Sequence, residues 1–375
     1  MMMDKDVTAV IFSNMHENRI AELTAHRCMG SIPVGGRYRV IDFVLSSLAN
    51  AGIQSVGVVT KNNYQSLMDH LGNGREWDLS RKRGGLIILP PFGNVQSGGM
   101  YRGRVEAFYN ISSYLDRIPA KYVIAADCDI MANIDYADFV SKHVESGADM
   151  TLMYKVMPVS GESDGEHVTL TLDHNDNIRD MMIGPSIKGE QNVYMNNIII
   201  GKELLKRLVF DAFSHNRFIF ESDILQAGIG KYKIRGYEFK SYVGRFDSMK
   251  TYYHENLALL DPLVREQLFP ADRPVYTKVK DDAPVKYGLD ARVSNSLIAD
   301  GCIVHGEVEG SILFRGVKVE RGAKIKNSII MQGTCVAAGS SLEYIICDKA
   351  VTIREKRVLS GFDSYPVYVS KGAVV

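Results

Sequence analysis

Arg27, Arg37 and Arg39 crowd a short stretch near the N-terminus. A guanidinium fork matches phosphate geometry, so clustered arginines suit a sugar phosphate or AMP; the alternative is pairing within the chain to acids such as Asp42. Two of the three lie in Ser31–Phe43, which follows a short apolar strand, Val7–Phe12, and leads into a helix beginning near Asp42. Strand, long loop and helix is the layout of a nucleotide-binding α/β domain. Two acids, Asp127 and Asp129, follow a second short apolar run, Tyr122–Ala126. Two more stand in Phe220-Glu221-Ser222-Asp223, where Asp223 is equally placed to cap a helix.

Positioning such groups falls to alternating elements. Ser55–Thr60 is apolar and β-branched, Tyr64–Leu71 has helical period, and Val105–Leu115 forms an amphipathic helix. Asp135–Val144 is a helix with an acidic start, Met150–Met157 and Val193–Ile200 are strands, and Lys202–Phe213 is a helix. This alternation predicts a mostly parallel sheet with helices on both faces. Gly72–Gly99, polar and glycine-rich, is expected to be a long mobile or binding loop.

Between Asp261 and Tyr287 the prolines Pro262, Pro270, Pro274 and Pro284 stop helices and predict an extended linker. Beyond it, Ser311-Ile-Leu-Phe-Arg-Gly316 recurs as Ser328-Ile-Ile-Met-Gln-Gly333, an offset of 328 − 311 = 17 residues. Gly322 and Gly339, and Ile329 and Ile346, keep that offset, and apolar residues such as Val317, Ala323 and Ile329 recur every five to seven positions. That is hexapeptide-type spacing, three short strands per turn of a parallel β-helix; the alternative is a small antiparallel β-sandwich. The resulting division is 1–260, a linker at 261–287, and a repeat domain at 288–375. Hexapeptide acyltransferases use a catalytic histidine, but His305 alone, without a long repeat array, reads as structural.

With 375 residues, 46% of them hydrophobic, the chain can build about two domains with full cores. Zero formal net charge gives no support to a nucleic-acid or anionic-membrane binder. Asp4 and Asp6 beside a short apolar run argue against a signal peptide, and no stretch approaches a membrane span. The five cysteines, Cys28, Cys128, Cys302, Cys335 and Cys347, are scattered and without Cys-x-x-Cys spacing. They read as reduced thiols of a cytoplasmic protein.

Ser31–Phe43 and the loop before it resemble the N-terminal signature of glucose-1-phosphate adenylyltransferase (ADP-glucose pyrophosphorylase), the sugar-nucleotide enzyme of glycogen and starch synthesis. In catalytic members the strand ends in Gly-Gly-x-Gly-x-Arg-Leu, and Arg-Ala-Lys-Pro-Ala follows. Here the loop reads Asn14-Met15-His16-Glu17-Asn18-Arg19-Ile20, and the later segment reads Arg27-Cys28-Met29-Gly30. Tyr252–Leu257 is a second strong match, and the likeness covers nearly the whole chain. It implies a Rossmann-like (GT-A-like) nucleotidyltransferase domain followed by a C-terminal left-handed parallel β-helix. It also implies a tetramer.

The resemblance further marks where chemistry has been lost. Adenylyl transfer needs a glycine loop against the triphosphate, a metal held by carboxylates, and cations for the sugar phosphate. Asn14, Met15 and Glu17 stand at the family's glycines, Arg19 keeps its arginine, and Met29 replaces a lysine. Asp129 matches a metal-binding aspartate, but Arg245 occupies the position of the second. One unit-charge pair at about 4 Å is worth roughly 4 kcal/mol at an effective dielectric near 20, so this exchange alone is prohibitive for Mg2+ unless Asp247 substitutes. Gly184, in Ile183-Gly184-Pro185, stands at a phosphate-binding lysine; Gly103-Arg104-Val105-Glu106-Ala107 keeps only Gly103 and Ala107 of its motif; Glu221 and Asp223 lie in a sugar-site segment. Arg27, Arg37 and Arg39 fall where the family binds anionic effectors.

The pattern resembles the non-catalytic GlgD-type subunit. It implies a chain without turnover or bound cofactor of its own, in a mixed oligomer with a catalytic GlgC-type chain that holds Mg2+. The alternatives are an active adenylyltransferase using Asp129 and Asp247, and a stand-alone sensor of a sugar phosphate or nucleotide.

Overall fold

The computed structural model describes residues 6–91, 101–159, 167–184 and 188–375. Strand β1 (Val7–Phe12) is buried at every position, apolar except for Thr8, whose hydroxyl donates to the Ser55 carbonyl, and takes the sheet's centre. It pairs in parallel with β2 (Ser55–Val59) on one side and β4 (Tyr122–Asp127) on the other, and β2 pairs in parallel with β3 (Gly85–Leu89). The other half runs differently. Strand β8 (Gly189–Gly201) is antiparallel to β4, to β5 (Met150–Val159) and to β6 (His167–Leu172), and β6 is antiparallel to β7 (Ile178–Gly184). Strand β9 (Ile234–Glu238) closes that edge parallel to β5. The sheet is therefore mixed, not mostly parallel. Alternating strand and helix patterns fix parallel crossovers only where a helix separates the strands, and β5 to β8 follow one another with no helix among the described residues between them.

The helices keep to local rules. Helix α1 (Val40–Asn50) starts where Asp42 Oδ2 accepts the Arg39 N–H at 2.9 Å. Helix α5 (Tyr136–Ser146) is capped by Asp135, which accepts the Asp138 N–H at 3.0 Å, and ends at Gly147 with φ 55°. The helix expected over Val105–Leu115 is two, α3 (Arg104–Asn110) and α4 (Ser112–Arg117), broken at Ile111. Gly72–Gly99 is not one long loop: helix α2 (Gln65–Leu71) ends just before it, Arg75–Trp77 forms a 3-10 turn, and β3 lies within it. Its remainder, from residue 92, lies outside the described residues.

The proline-rich segment also differs from an extended strap. Asp261 accepts the Leu263 N–H at 2.9 Å and Pro262 takes the first position of a helix, Pro262–Leu268, where its missing donor is harmless. The chain then runs along α1, with Ser46 and Asn50 bonding to Tyr276 and Pro274.

The C-terminal part is a left-handed β-helix of three parallel sheets, each of five short strands. Register follows the sequence offset: Ile312 pairs with Ile329 and Ile329 with Ile346. The first coil is shorter, since Leu297 pairs with Ile312, 312 − 297 = 15 residues on. Alternation divides the labour of one sheet. Leu313, Ile330 and Cys347 face the helix interior, whereas Ile312, Ile329 and Ile346 join the core of the first domain. The isoleucine repeat is thus a docking face. Beside it, Arg27 Nη2 bonds both oxygens of Asp348, at 2.6 and 2.9 Å, and Tyr368 Oη donates to Asp348 Oδ2 at 2.8 Å.

Candidate functional site

The C-terminal ends of β1 and β4 define the site, the crevice where parallel strands of an α/β sheet present ligands. The loop after β1 closes on itself. Asn14, buried, donates from Nδ2 to Glu17 Oε1 at 2.6 Å and to the Asn62 carbonyl, while its Oδ1 accepts the Lys61 N–H at 2.8 Å. Glu17 is pushed up to about 7 by burial, against the pull of Asn14. Met15 turns into the apolar layer beside α3. The Asn14 and Glu17 side chains thus bond to each other across the loop.

At the end of β4, Asp127 and Asp129 are both buried. Asp127 Oδ2 accepts from Arg104 Nη2 at 2.5 Å, and Arg104 Nη1 lies 2.8 Å from Glu221 Oε1. The Arg104 guanidinium is also flanked by the rings of Phe12 and Phe220, 5.3 and 5.7 Å from its centre. Burial alone would lower Arg104; Asp127 and Glu221 together hold it raised. Burial pushes the Asp127 carboxyl up, against Arg104 and His16. Gly103 must be glycine here, because a Cβ would sit 2.2 Å from the Phe218 carbonyl oxygen. Asp223 accepts the Ile219 N–H at 2.9 Å, a local backbone cap. Gly184 ends β7 opposite His167, with nothing within 4 Å of where a side chain would begin; Pro185 lies outside the described residues.

Arg245 pairs across a short two-stranded ladder with Ile130 and is buried. Its Nε lies 3.3 Å from Asp247 Oδ2, an ion pair by distance without hydrogen-bond geometry, and Arg19 Nη1 bonds Asp247 Oδ1 at 3.0 Å. Burial opposes the charge of Asp247, but Arg245 and Arg19 outweigh it and hold the carboxyl low. Each of these contacts is worth on the order of 5 kcal/mol at an effective dielectric near 20. The family's Mg2+, shared by two aspartates, does not fit these residues. One position is a guanidinium, and the neighbouring carboxylate is held by two cations.

Sequence reasoning gave no role to three residues that the structure brings to this point. His16 Nε2 lies 3.2 Å from Asp127 Oδ2 and 3.9 Å from Asp129 Oδ2. Asn196 Nδ2 donates to Asp129 Oδ2 at 2.8 Å from a bulge in β8, where the register against β5 shifts. Arg104 bridges two acids. Arg104 could have been flagged as a charge inside an apolar helix start; a bulge such as that of Asn196 leaves no period to detect.

The effector candidates separate. Arg37 and Arg39 line a cavity of about 240 Å3 at the domain junction, with Lys278, Lys280, Arg315 and Lys349. Arg39 also bonds the Ser66 hydroxyl at 3.0 Å. Arg27 is buried behind this cavity in its pair with Asp348, not with Asp42. Burial, reinforced by Arg39 and Arg27, brings Lys349 down to about 7. Asp42 is instead held 2.6 Å from His70 Nε2.

A nucleotidyltransferase-type α/β domain carrying a hexapeptide β-helix is the class these features define. A family profile described as "Nucleotidyl transferase" matches residues 9–178, and one described as "GlmU-like, C-terminal hexapeptide" matches residues 283–365. The chain is 34% identical to the glycogen biosynthesis protein GlgD of Bacillus subtilis over all of its own length and 98% of that protein's. It is 35% identical to the protein of the same name from Geobacillus stearothermophilus, covering 86% of this chain and 84% of that one. It is 31% identical to a glucose-1-phosphate adenylyltransferase of Clostridium perfringens, covering 89% and 86%. The chain belongs to the ADP-glucose pyrophosphorylase family, as a GlgD-type member. Among the described residues no helix is long and apolar enough to cross a membrane.

Proposed function

We propose that this chain is a catalytically silent, regulatory subunit of ADP-glucose pyrophosphorylase in glycogen biosynthesis. It would associate with a GlgC-type catalytic chain in a mixed tetramer and raise that chain's rate or substrate affinity. The observation that carries the reading is Asp247, the carboxylate nearest in sequence to the missing metal ligand, clamped between Arg19 and Arg245. With the glycine loop also closed on itself by Asn14 and Glu17, the cleft lacks the groups that would take a metal–triphosphate complex. Mg2+ would be held by the partner alone.

The junction cavity supports a regulatory role. Its arginines and lysines suit an anionic effector, a sugar phosphate or a nucleotide, and its walls come from both domains. A ligand binding one relative arrangement of the domains better than another would shift the partner's state through the assembly. The same cavity favours a second reading, a stand-alone sensor. That reading predicts effector-induced thermal shifts without a mixed oligomer.

The test measures ADP-glucose formation from ATP and glucose 1-phosphate by this chain alone, by a catalytic partner alone, and by both, with light scattering for assembly. Silence alone with enhancement in a mixed tetramer is expected. Turnover by the highly purified single chain would overturn the proposal.

A further inference from the structure

We propose that His16, Asp127 and Asp129 form a site for a single divalent transition-metal ion, Zn2+ foremost, sharing only Asp129 with the lost two-aspartate Mg2+ site. Their ligand atoms all lie within 4.8 Å of one another. Around a tetrahedral ion with bonds near 2.0–2.2 Å, ligand atoms stand roughly 3.4 Å apart. The 3.2 and 3.9 Å separations of His16 Nε2 from Asp127 Oδ2 and Asp129 Oδ2, the oxygens that also accept from Arg104 and Asn196, fall on either side of that value.

Free ligand capacity is present. Asp127 Oδ1 and Asp129 Oδ1 are buried and lack a hydrogen-bond partner among the described residues, although each carboxylate uses its other oxygen. Asp127 Oδ2 accepts from Arg104 and lies beside His16, and Asp129 Oδ2 accepts from Asn196. A buried carboxylate oxygen without a donor is costly, and a cation answers it. The charge count agrees: Asp127, Asp129, Glu221 and Asp247 face Arg104, Arg19 and Arg245, leaving one negative charge before His16 is considered.

Backbone strain points to the same place. His16 and Asn196 both hold left-handed backbone, at φ 63° and 53°. Each costs of order 1 kcal/mol, and the two side chains converge, 3.4 Å apart, over Asp129. An imidazole nitrogen with two carboxylate oxygens suits Zn2+ or another first-row divalent ion and not Mg2+, which prefers oxygen alone. The His16 side chain keeps 26% of its surface exposed, so solvent can supply the remaining ligand. The ion would pin the altered loop to the end of β4, and Asn196 would orient Asp129. None of the three ligands is at position 245, so the site does not depend on whether the chain is catalytic.

The full-length chain, stripped with chelator and dialysed, is titrated calorimetrically with Zn2+ and with Mg2+ at pH 7. Co2+ visible bands give the coordination. One Zn2+ per chain is expected, at least 100-fold tighter than Mg2+. His16→Ala should cost tenfold or more in Zn2+ affinity, whereas Cys128→Ser should leave it unchanged. His16→Asn retains a residue at ease in left-handed backbone and removes the imidazole, so it tests the ligand should His16→Ala unfold. The proposal is overturned by absence of saturable Zn2+ binding, or by binding that survives both His16 variants.

Discussion

Asp348→Asn removes one charge from the domain junction with little change of shape. The Arg27 and Asp348 side chains keep only 3% and 1% of their surface exposed, and two hydrogen bonds join them. Breaking one partner of such a buried pair leaves a guanidinium desolvated and uncompensated, a loss of about 3–5 kcal/mol. Unfolding entropy of about 2.1 cal/mol/K per residue gives roughly 0.8 kcal/mol per degree for 375 residues unfolding together, so the melting temperature should fall by about 4–6 °C. The assay is thermal unfolding followed by calorimetry and by tyrosine fluorescence. The double replacement Arg27→Met with Asp348→Leu, which removes both charges and fills the space, should recover most of the loss. A shift below 1 °C for Asp348→Asn, or a double variant as unstable as the single one, would refute the argument that this pair locks the β-helix onto the first domain.

Lys349, brought down to about 7 by burial, Arg39 and Arg27, sets a pH window. Its folded value lies below the unfolded value of 10.5, so the unfolded chain binds more protons between about 7 and 10.5, and this group makes stability rise with pH there. Anion binding in the junction cavity should run the other way. Phosphate or AMP should bind more weakly as pH rises from about 6.5 to 8, with net proton uptake at pH 7.5, measured by calorimetry in buffers of different ionisation enthalpy. At the site, Gly103→Ala drives a methyl to within 2.2 Å of the Phe218 carbonyl oxygen and should destabilise by about 2–3 kcal/mol in urea unfolding.

The sequence was legible where one physical rule dominated. Val7–Phe12 is apolar at every position but Thr8 and reads as a buried strand. The offset of 17 residues from Ile329 to Ile346 became strand register directly. Two reasons why other features escaped are visible in particular residues. Pro262 reads as a helix breaker, yet the same fixed φ opens a helix when Asp261 stands before it. Asn196 sits in a bulge whose direction depends on how β8 pairs with β5, a partnership more than thirty residues away and invisible locally. The site was legible as a set of losses, at Asn14, Glu17, Met29 and Arg245. What filled the space, Arg104 between Asp127 and Glu221 and His16 over two carboxylates, depended on tertiary packing.

The Arg27–Asp348 pair joins residues 321 positions apart. At a synthesis rate of about 5–20 residues per second, Arg27 leaves the ribosome roughly 15–65 s before its counter-ion exists. For most of that interval the isoleucines Ile312, Ile329 and Ile346 have not been made either, so the residues they cover in the first domain lack that cover. A charge there keeps the nascent surface wetted and discourages contact with neighbouring chains, then is extinguished by the late coil that covers it. The salt bridge can therefore close only when nearly the whole chain has been made.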